Sequence, residues 1–289
     1  MLPGRAVKKK KFPLVVLIIL AAGVITLLLS GGQGSMRRWT AARLRSNFRQ
    51  WEALETDYFL LRYPAQEAAW VRWWAQEADA DARKVNEIFA FTHEQKPWLV
   101  LVPDQATIQN VFGWSDSTRA LGVYQADTIL LLSPEAWNWV PQERRISVFA
   151  AENPLLHEYT HFVLDNIANA FYPRWFSEGM AQVLTYHLQD PAGVAGESSK
   201  AVVFPLTELE NNFDRAEYEA AAYRQAFCMV NYLWELKGTE GIRALLEQLA
   251  CGKNFDRALE QVYALEQNEF FRLWRQWQEE NPHPLVIDV

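Results

Sequence analysis

His157 and His161 stand four residues apart, and Glu158 follows the first of them. Residues i and i+4 of a helix share one face a turn apart, so on a helix the two imidazoles can converge on a single ion. That pair is half of a zinc site. The carboxylate of Glu158 then falls beside the ion rather than on it, where it can take a proton from a water that the metal acidifies. A catalytic zinc takes three protein ligands and keeps a fourth position open. Glu178, downstream of His161, supplies the third. The set predicts one Zn2+ per chain, held by His157, His161 and Glu178, with Glu158 as the general base of a hydrolytic reaction. Asp165 and Gln182 each lie four residues after a ligand and so on its helix face, as candidate acceptors for the second N–H of a histidine; a solvated or capping role is the alternative for both. His187 falls on the far side of the helix that carries Glu178 and is left out.

Such chemistry requires two helices laid against each other. Asn153-Pro154 is an N-cap followed by proline at the first helical position, so a helix starts there and carries the histidines. A turn ending at Pro173 leaves enough chain to reverse direction into a second helix. Gly179 inside that helix costs about 1 kcal/mol relative to alanine, which close helix packing explains.

The sequence upstream of these helices reads as strands and helices in alternation. Tyr58 to Tyr63 and Pro97 to Val102 are strands, with a long helix over Ala65 to Phe91 between them and a short one over Gln105 to Phe112 after. Leu121 to Tyr124 and Thr128 to Leu132 are strands joined by a turn, and Pro141 to Ala151 is a helix leading to Asn153. Downstream, Gln189 to Val202 is loop-like, and Phe204 to Phe213 crosses to a helix carrying Tyr223. Three more helices follow over Gly241 to Ala250, Asn254 to Tyr263 and Asn268 to Glu279. With 50% apolar residues and 13 tryptophans the chain can bury a substantial core.

The two metal segments, His-Glu-x-x-His and then Pro173-Arg174-Trp175-Phe176-Ser177-Glu178-Gly179, resemble the gluzincin metallopeptidases. More narrowly, they resemble the peptidase MA-like group of bacterial extracytoplasmic proteins. Thr56 to Tyr63 is similar to the strand that opens that domain, and Tyr223 to Leu233 to its later helix. The resemblance implies an α+β, zincin-like fold over residues 56–280, with a small mixed sheet in 56–150 and a helical part in 151–280. It implies a zinc metallopeptidase acting on peptide or protein substrates, with Tyr223 as the donor that stabilises the oxyanion. It also implies that the strand before the zinc helix, either Thr128 to Leu132 or the one preceding it, holds an extended peptide by strand addition. Two departures stand out. The Gly-x-Met-Glu-Asn strand of the aminopeptidases is absent, which favours endopeptidase action, and Gln225-Ala226 stands where those enzymes have Lys-Gly.

Residues 1–12 are basic, with Arg5 and Lys8 to Lys11, and an apolar run follows from Leu14 to Leu29. The segment 13–30 reads as a transmembrane signal-anchor, long enough to approach the roughly 30 Å hydrocarbon core. A cleaved export signal ending at Ser30-Gly31-Gly32 is the alternative. Either places the remainder outside the cytoplasm, on the cell membrane or secreted. Residues 31–55 read as a linker and stalk segment, with a helix over Met36 to Ala53 that either packs on the domain or serves as a stalk, and 281–289 as a tail. Without its basic leader the chain carries about −12 in net charge, which argues against nucleic acid as a partner. Cys228 and Cys251 lack zinc spacing and are either one disulfide or free thiols. Two other functional classes fit the same motifs: a non-catalytic peptide- or partner-binding scaffold, and a zinc hydrolase of a non-peptide amide.

Overall fold

The structure, a computed structural model, describes residues 32–116, 118–189, 202–213, 215 and 217–281. The apolar run Leu14–Leu29, with the anchor and cleavage expectations attached to it, lies outside these, as does the tail beyond residue 281. Among the described residues no helix is long and apolar enough to cross a membrane.

Five strands form one mixed sheet: β1 (Glu52–Glu55), β2 (Leu60–Tyr63), β3 (Trp98–Val102), β4 (Gly122–Gln125) and β5 (Thr128–Leu132), in the order β1-β2-β3-β5-β4. The inner three run parallel, and the two edge strands pair antiparallel to them. Trp-Leu-Val-Leu-Val in β3 and Thr-Ile-Leu-Leu-Leu in β5 are apolar along nearly their whole length, as strands covered on both faces must be. One expectation is corrected here. Thr128–Leu132 is an inner strand, paired on both sides, and the strand before it is the edge.

That edge faces the helical half. The Leu132 amide donates to the Leu121 carbonyl at 2.8 Å, and with the observed register this turns the main-chain groups of Val123 and Gln125 toward β5. Gly122 and Tyr124 therefore turn theirs outward.

A second correction concerns the helix expected over Met36–Ala53. Helix α1 spans Gly32–Ser46, and Glu52–Glu55 instead joins the sheet opposite Leu60–Tyr63. Four residues of ladder pairing override the helix-forming character of Glu-Ala-Leu-Glu, and the exposed glutamates keep this outer edge charged. Nor is α1 a free stalk. Leu44 and Phe48 are buried, and Arg45 donates from Nη2 to the Asp127 carbonyl at 2.7 Å and from Nε to Thr128 Oγ1 at 3.1 Å.

The remaining helices are α2 (Ala68–Phe89), which crosses from β2 to β3, and α3 (Gln105–Phe112). They are followed by α4 (Arg145–Glu152), α5 (Leu155–Ala168), α6 (Arg174–Gln189), α7 (Leu206–Leu209), α8 (Glu219–Ala250), α9 (Phe255–Tyr263) and α10 (Gln267–Glu280). Asn153 joins α4 to α5: its side chain accepts from the Leu155 amide at 3.0 Å and donates to the Phe149 carbonyl at 2.7 Å. The helix starts one residue later than expected, with Pro154 rather than Asn153 at the N-cap, and Asn153 is the C-cap of the preceding helix. The span α8 breaks at Gly238, where φ is 60° and the backbone is not helical, so two helices meet there and the second is the separate helix expected over Gly241–Ala250. Cys228 is buried and Cys251 exposed, both as free thiols, so the two do not form the disulfide.

Helices α6 and α8 cross very closely. A Cβ built on Gly179 would lie 2.3 Å from the Ala226 carbonyl oxygen and 2.7 Å from Val230 Cγ2. Only glycine fits there. Replacing Gly179 by alanine should destabilise the protein by about 1–3 kcal/mol through overpacking. Gly34→Ala, in open space on α1, should be neutral or stabilising by up to about 1 kcal/mol. Urea unfolding of the two variants tests this, and equal midpoints would refute the close-crossing account.

Candidate active site

Helices α5 and α6 bring the three expected ligands together. His157 Nε2 lies 3.3 Å and His161 Nε2 3.5 Å from the same oxygen, Glu178 Oε2. Ligand atoms of all three residues lie within 4.8 Å of one another, so the group could hold a metal ion. The distances discriminate between two uses of such a cluster. Charge-assisted hydrogen bonds are shorter, about 2.7–2.9 Å. Ligands of a tetrahedral ion at about 2.0–2.1 Å are separated by about 3.3 Å. The donor set, two imidazole nitrogens and one carboxylate oxygen, suits zinc.

Glu178 is largely withdrawn from water, at a cost. Burial would push its carboxyl up, but the two histidines more than offset that and hold it well below the ordinary carboxylate range. Its other oxygen, Oε1, faces Arg174 Nε at 3.5 Å, one helical turn earlier. The carboxylate therefore offers one oxygen to the histidine side and the other to the guanidinium.

Glu158 stands beside this group, with its side chain in the same cleft. Burial pushes its carboxyl up to about 7, with His157 opposing the push, Glu178 adding to it, and a hydrogen bond from the Tyr124 backbone opposing it further. Strand β4 thus touches the candidate base directly. Gly122 makes the approach feasible, since a Cβ there would lie 2.7 Å from Pro154 Cγ and 2.9 Å from Glu158 Oε1.

The cleft has a volume of about 1080 Å³ and runs between β4 and the helices. Tyr223 lines it from α8, together with Arg174 and Phe213. Burial, and secondarily the Glu178 charge, raise the Tyr223 hydroxyl well above its ordinary range, so it stays a proton donor at any working pH. It hydrogen-bonds with Arg174 and packs edge-on against Phe213, at 5.1 Å between ring centres. Gln225, at the position where the resemblance departs, clamps the crossing segment: it accepts from the Phe204 amide and donates to the Phe204 carbonyl, both at 2.8 Å.

The two second-rank candidates do not touch a histidine. Asp165 accepts from Tyr124 at 2.8 Å and from Tyr172, and Gln182 is buried with Oε1 unpartnered among the described residues. The partner of His161 is instead Ser177, whose Oγ lies 2.7 Å from Nδ1. No spacing rule relative to His161 points to Ser177, because the contact crosses from one helix to the next. Its place directly before Glu178 was the available signal. His187 stacks on Trp234, away from the cleft.

Comparison with known proteins bears on the helical half above all. Residues 147–280, from α4 to the end of α10, match the family model of the Peptidase MA superfamily. The chain is also similar to the uncharacterized protein YhcO of Bacillus subtilis (strain 168), at 23% identity over 228 residues, which cover 71% of this chain and 68% of that one. The matched region contains all three ligand candidates, Glu158 and Tyr223.

Removing a ligand should remove the ion without unfolding the chain. For Glu178→Ala, zinc content measured by plasma mass spectrometry should fall from about one per chain to nearly none. Far-UV circular dichroism should be unchanged. Full zinc content in the variant would show that the ion, if any, is bound elsewhere.

Proposed function

We propose that the protein is a zinc-dependent metallopeptidase, an endopeptidase, anchored at a membrane with its domain outside the cytoplasm. The observation that carries the reading is the Glu178 carboxylate oxygen at tetrahedral-edge distance from both histidines, with Glu158 buried beside it. The Peptidase MA match over this region supports it. The siting rests on the basic leader and the apolar run Leu14–Leu29.

His157, His161 and Glu178 would hold the zinc, which when bound supplies Lewis acidity toward a water and toward a peptide carbonyl. Glu158 takes the proton of the attacking water and returns it to the leaving amine nitrogen. Its buried setting raises its basicity, and the backbone N–H of Tyr124 holds the carboxylate in place. Tyr223 donates its hydroxyl proton in a hydrogen bond to the carbonyl oxygen as negative charge grows there. The outward main-chain groups of β4 that Glu158 leaves unengaged, those of Gly122 and the Tyr124 carbonyl, receive an extended peptide as an added strand, which would lay its carbonyls past Glu158. A cleft of this size, open along a strand edge, suits a chain passing through rather than a chain end.

Glu158→Gln should lower peptide cleavage by about 10²–10⁴-fold while zinc remains bound. Tyr223→Phe should lower kcat by about 10²–10³-fold. Gly122→Ala, which crowds Glu158, should cost about 10²-fold by misplacing the base. Casein and a peptide library incubated with the purified full chain provide the assay. A zinc-loaded wild type that cuts neither would favour the binding scaffold or the non-peptide hydrolase, and an active Glu158→Gln would remove the assigned base.

A further inference from the structure

We propose that a groove between α1 and α3 is a specificity subsite that takes an aromatic side chain of the peptide bound along β4. The inference rests on the reading of β4 as the receiving edge, given above. It concerns the face of the sheet turned away from the three ligand candidates.

Successive side chains of a strand point to opposite faces. A Cβ on Gly122 would lie 2.9 Å from Glu158 Oε1, and the Tyr124 ring stacks on that of His161 at 6.3 Å between centres, so both residues belong to the α5 face. Val123 and Gln125 therefore stand on the other face. There they wall a groove of about 530 Å³ together with Trp39 and Arg43 of α1 and with Phe112 and Trp114 at the end of α3. Trp114, Val123, Tyr124 and Gln125 also line the cleft that holds Glu158, so the groove and the cleft adjoin along β4. An added strand places each side chain on the face of the residue opposite it. The peptide residues opposite Gly122 and Tyr124 thus lie on the Glu158 side, and the one between them, opposite Val123, sends its side chain into the groove.

The walls select an aromatic ring. Phe112 and Trp114 stack at 4.9 Å between ring centres, on either side of Gly113, whose φ of 69° ends the helix. Trp39 is 60% exposed, and the Arg43 guanidinium lies 5.8 Å from its ring centre. A lone exposed indole is ordinary, but one that shares a groove with a ring pair offers an incoming ring both stacked and edge contacts. Among the described residues Arg43 is the one charged side chain on these walls; it repels a lysine or arginine and adds a cation to the face of a bound ring. The groove is also built rather than loose. Arg37 pairs with Asp127 in the turn after β4 and donates from Nη2 to the Tyr124 hydroxyl at 3.1 Å and from Nη1 to the Asp165 carbonyl at 3.4 Å, which fixes α1 against the strand.

The test uses the full chain and internally quenched peptides in which one position at a time, on either side of the cut bond, is Phe, Ala, Glu or Lys. At one position flanking that bond, kcat/KM for Phe should exceed that for Ala by about 10-fold, and Lys should be the poorest residue there. Trp39→Ala should bring the Phe-to-Ala ratio below about threefold. Trp139→Ala, which removes an equally exposed indole outside the groove, should leave the ratio unchanged. If Trp39→Ala does not fold, Trp39→Leu, which keeps apolar bulk without the ring, takes its place. Fluorescence anisotropy of the same peptides, dye-labelled, with the Glu158→Gln chain reads the preference without cleavage. A wild type that cuts nothing, together with tighter binding of the Phe peptide that depends on Trp39, would overturn the peptidase reading and uphold the subsite. Equal handling of Phe and Ala in both measurements, a Phe preference that survives loss of the Trp39 ring, or a preference for Glu that disappears in Arg43→Gln would each overturn the subsite.

Discussion

The site depends on keeping one carboxylate, that of Glu178, largely out of water and ionised between two imidazoles. Taking such a group out of water costs several kcal/mol unless charge and hydrogen-bonding partners replace the solvent. His157 and His161 approach one oxygen, and Arg174 approaches the other. Every larger feature of the helical half serves that meeting. Asn153 fixes the boundary before the histidine helix, Pro173 turns the chain into the next one, and Gly179 lets α6 settle against α8 so closely that a side chain would collide with the Ala226 backbone. The ligand geometry is therefore set by backbone packing rather than by flexible side chains.

The sheet contributes an edge. Because β5 is interior, β4 is the strand that faces α5, and its alternation sends the groups of Gly122 and Tyr124 toward the cleft. Glu158 occupies the junction, held by the main-chain N–H of Tyr124 and hard against Gly122. The same junction binds a third element. Through Arg37 and Arg45, α1 closes over the end of β4 and β5, so the segment nearest the apolar leader is packed into the body. One constraint, burial of charge, runs from the helix crossing to the N-terminal helix.

The two histidine ligands were legible in the sequence because helical spacing is a local rule: residues four apart share a face whatever surrounds them. Asn153 and Gly179 were legible for the same reason, one as a cap and the other as a costly residue that packing had to explain. Ser177, Tyr172 and Arg37 were not, since their contacts join segments as much as 128 residues apart and leave no periodic trace. The strand order was also hidden, because β3 pairs with β5 out of sequence. A partial signal existed in the unbroken apolar run of Thr128–Leu132, which marks a strand covered on both faces. Glu52–Glu55 misled because short charged segments have weak local preference, and pairing with β2 decided the outcome.

The central claim is that His157, His161 and Glu178 hold a zinc ion, and X-ray absorption at the zinc edge of the purified full chain tests it most directly. The account predicts about one zinc per chain in a four-coordinate shell of two imidazole nitrogens and oxygens at about 2.0–2.2 Å. An octahedral shell of oxygens without imidazole scattering, or a folded protein that takes up no zinc, would contradict it.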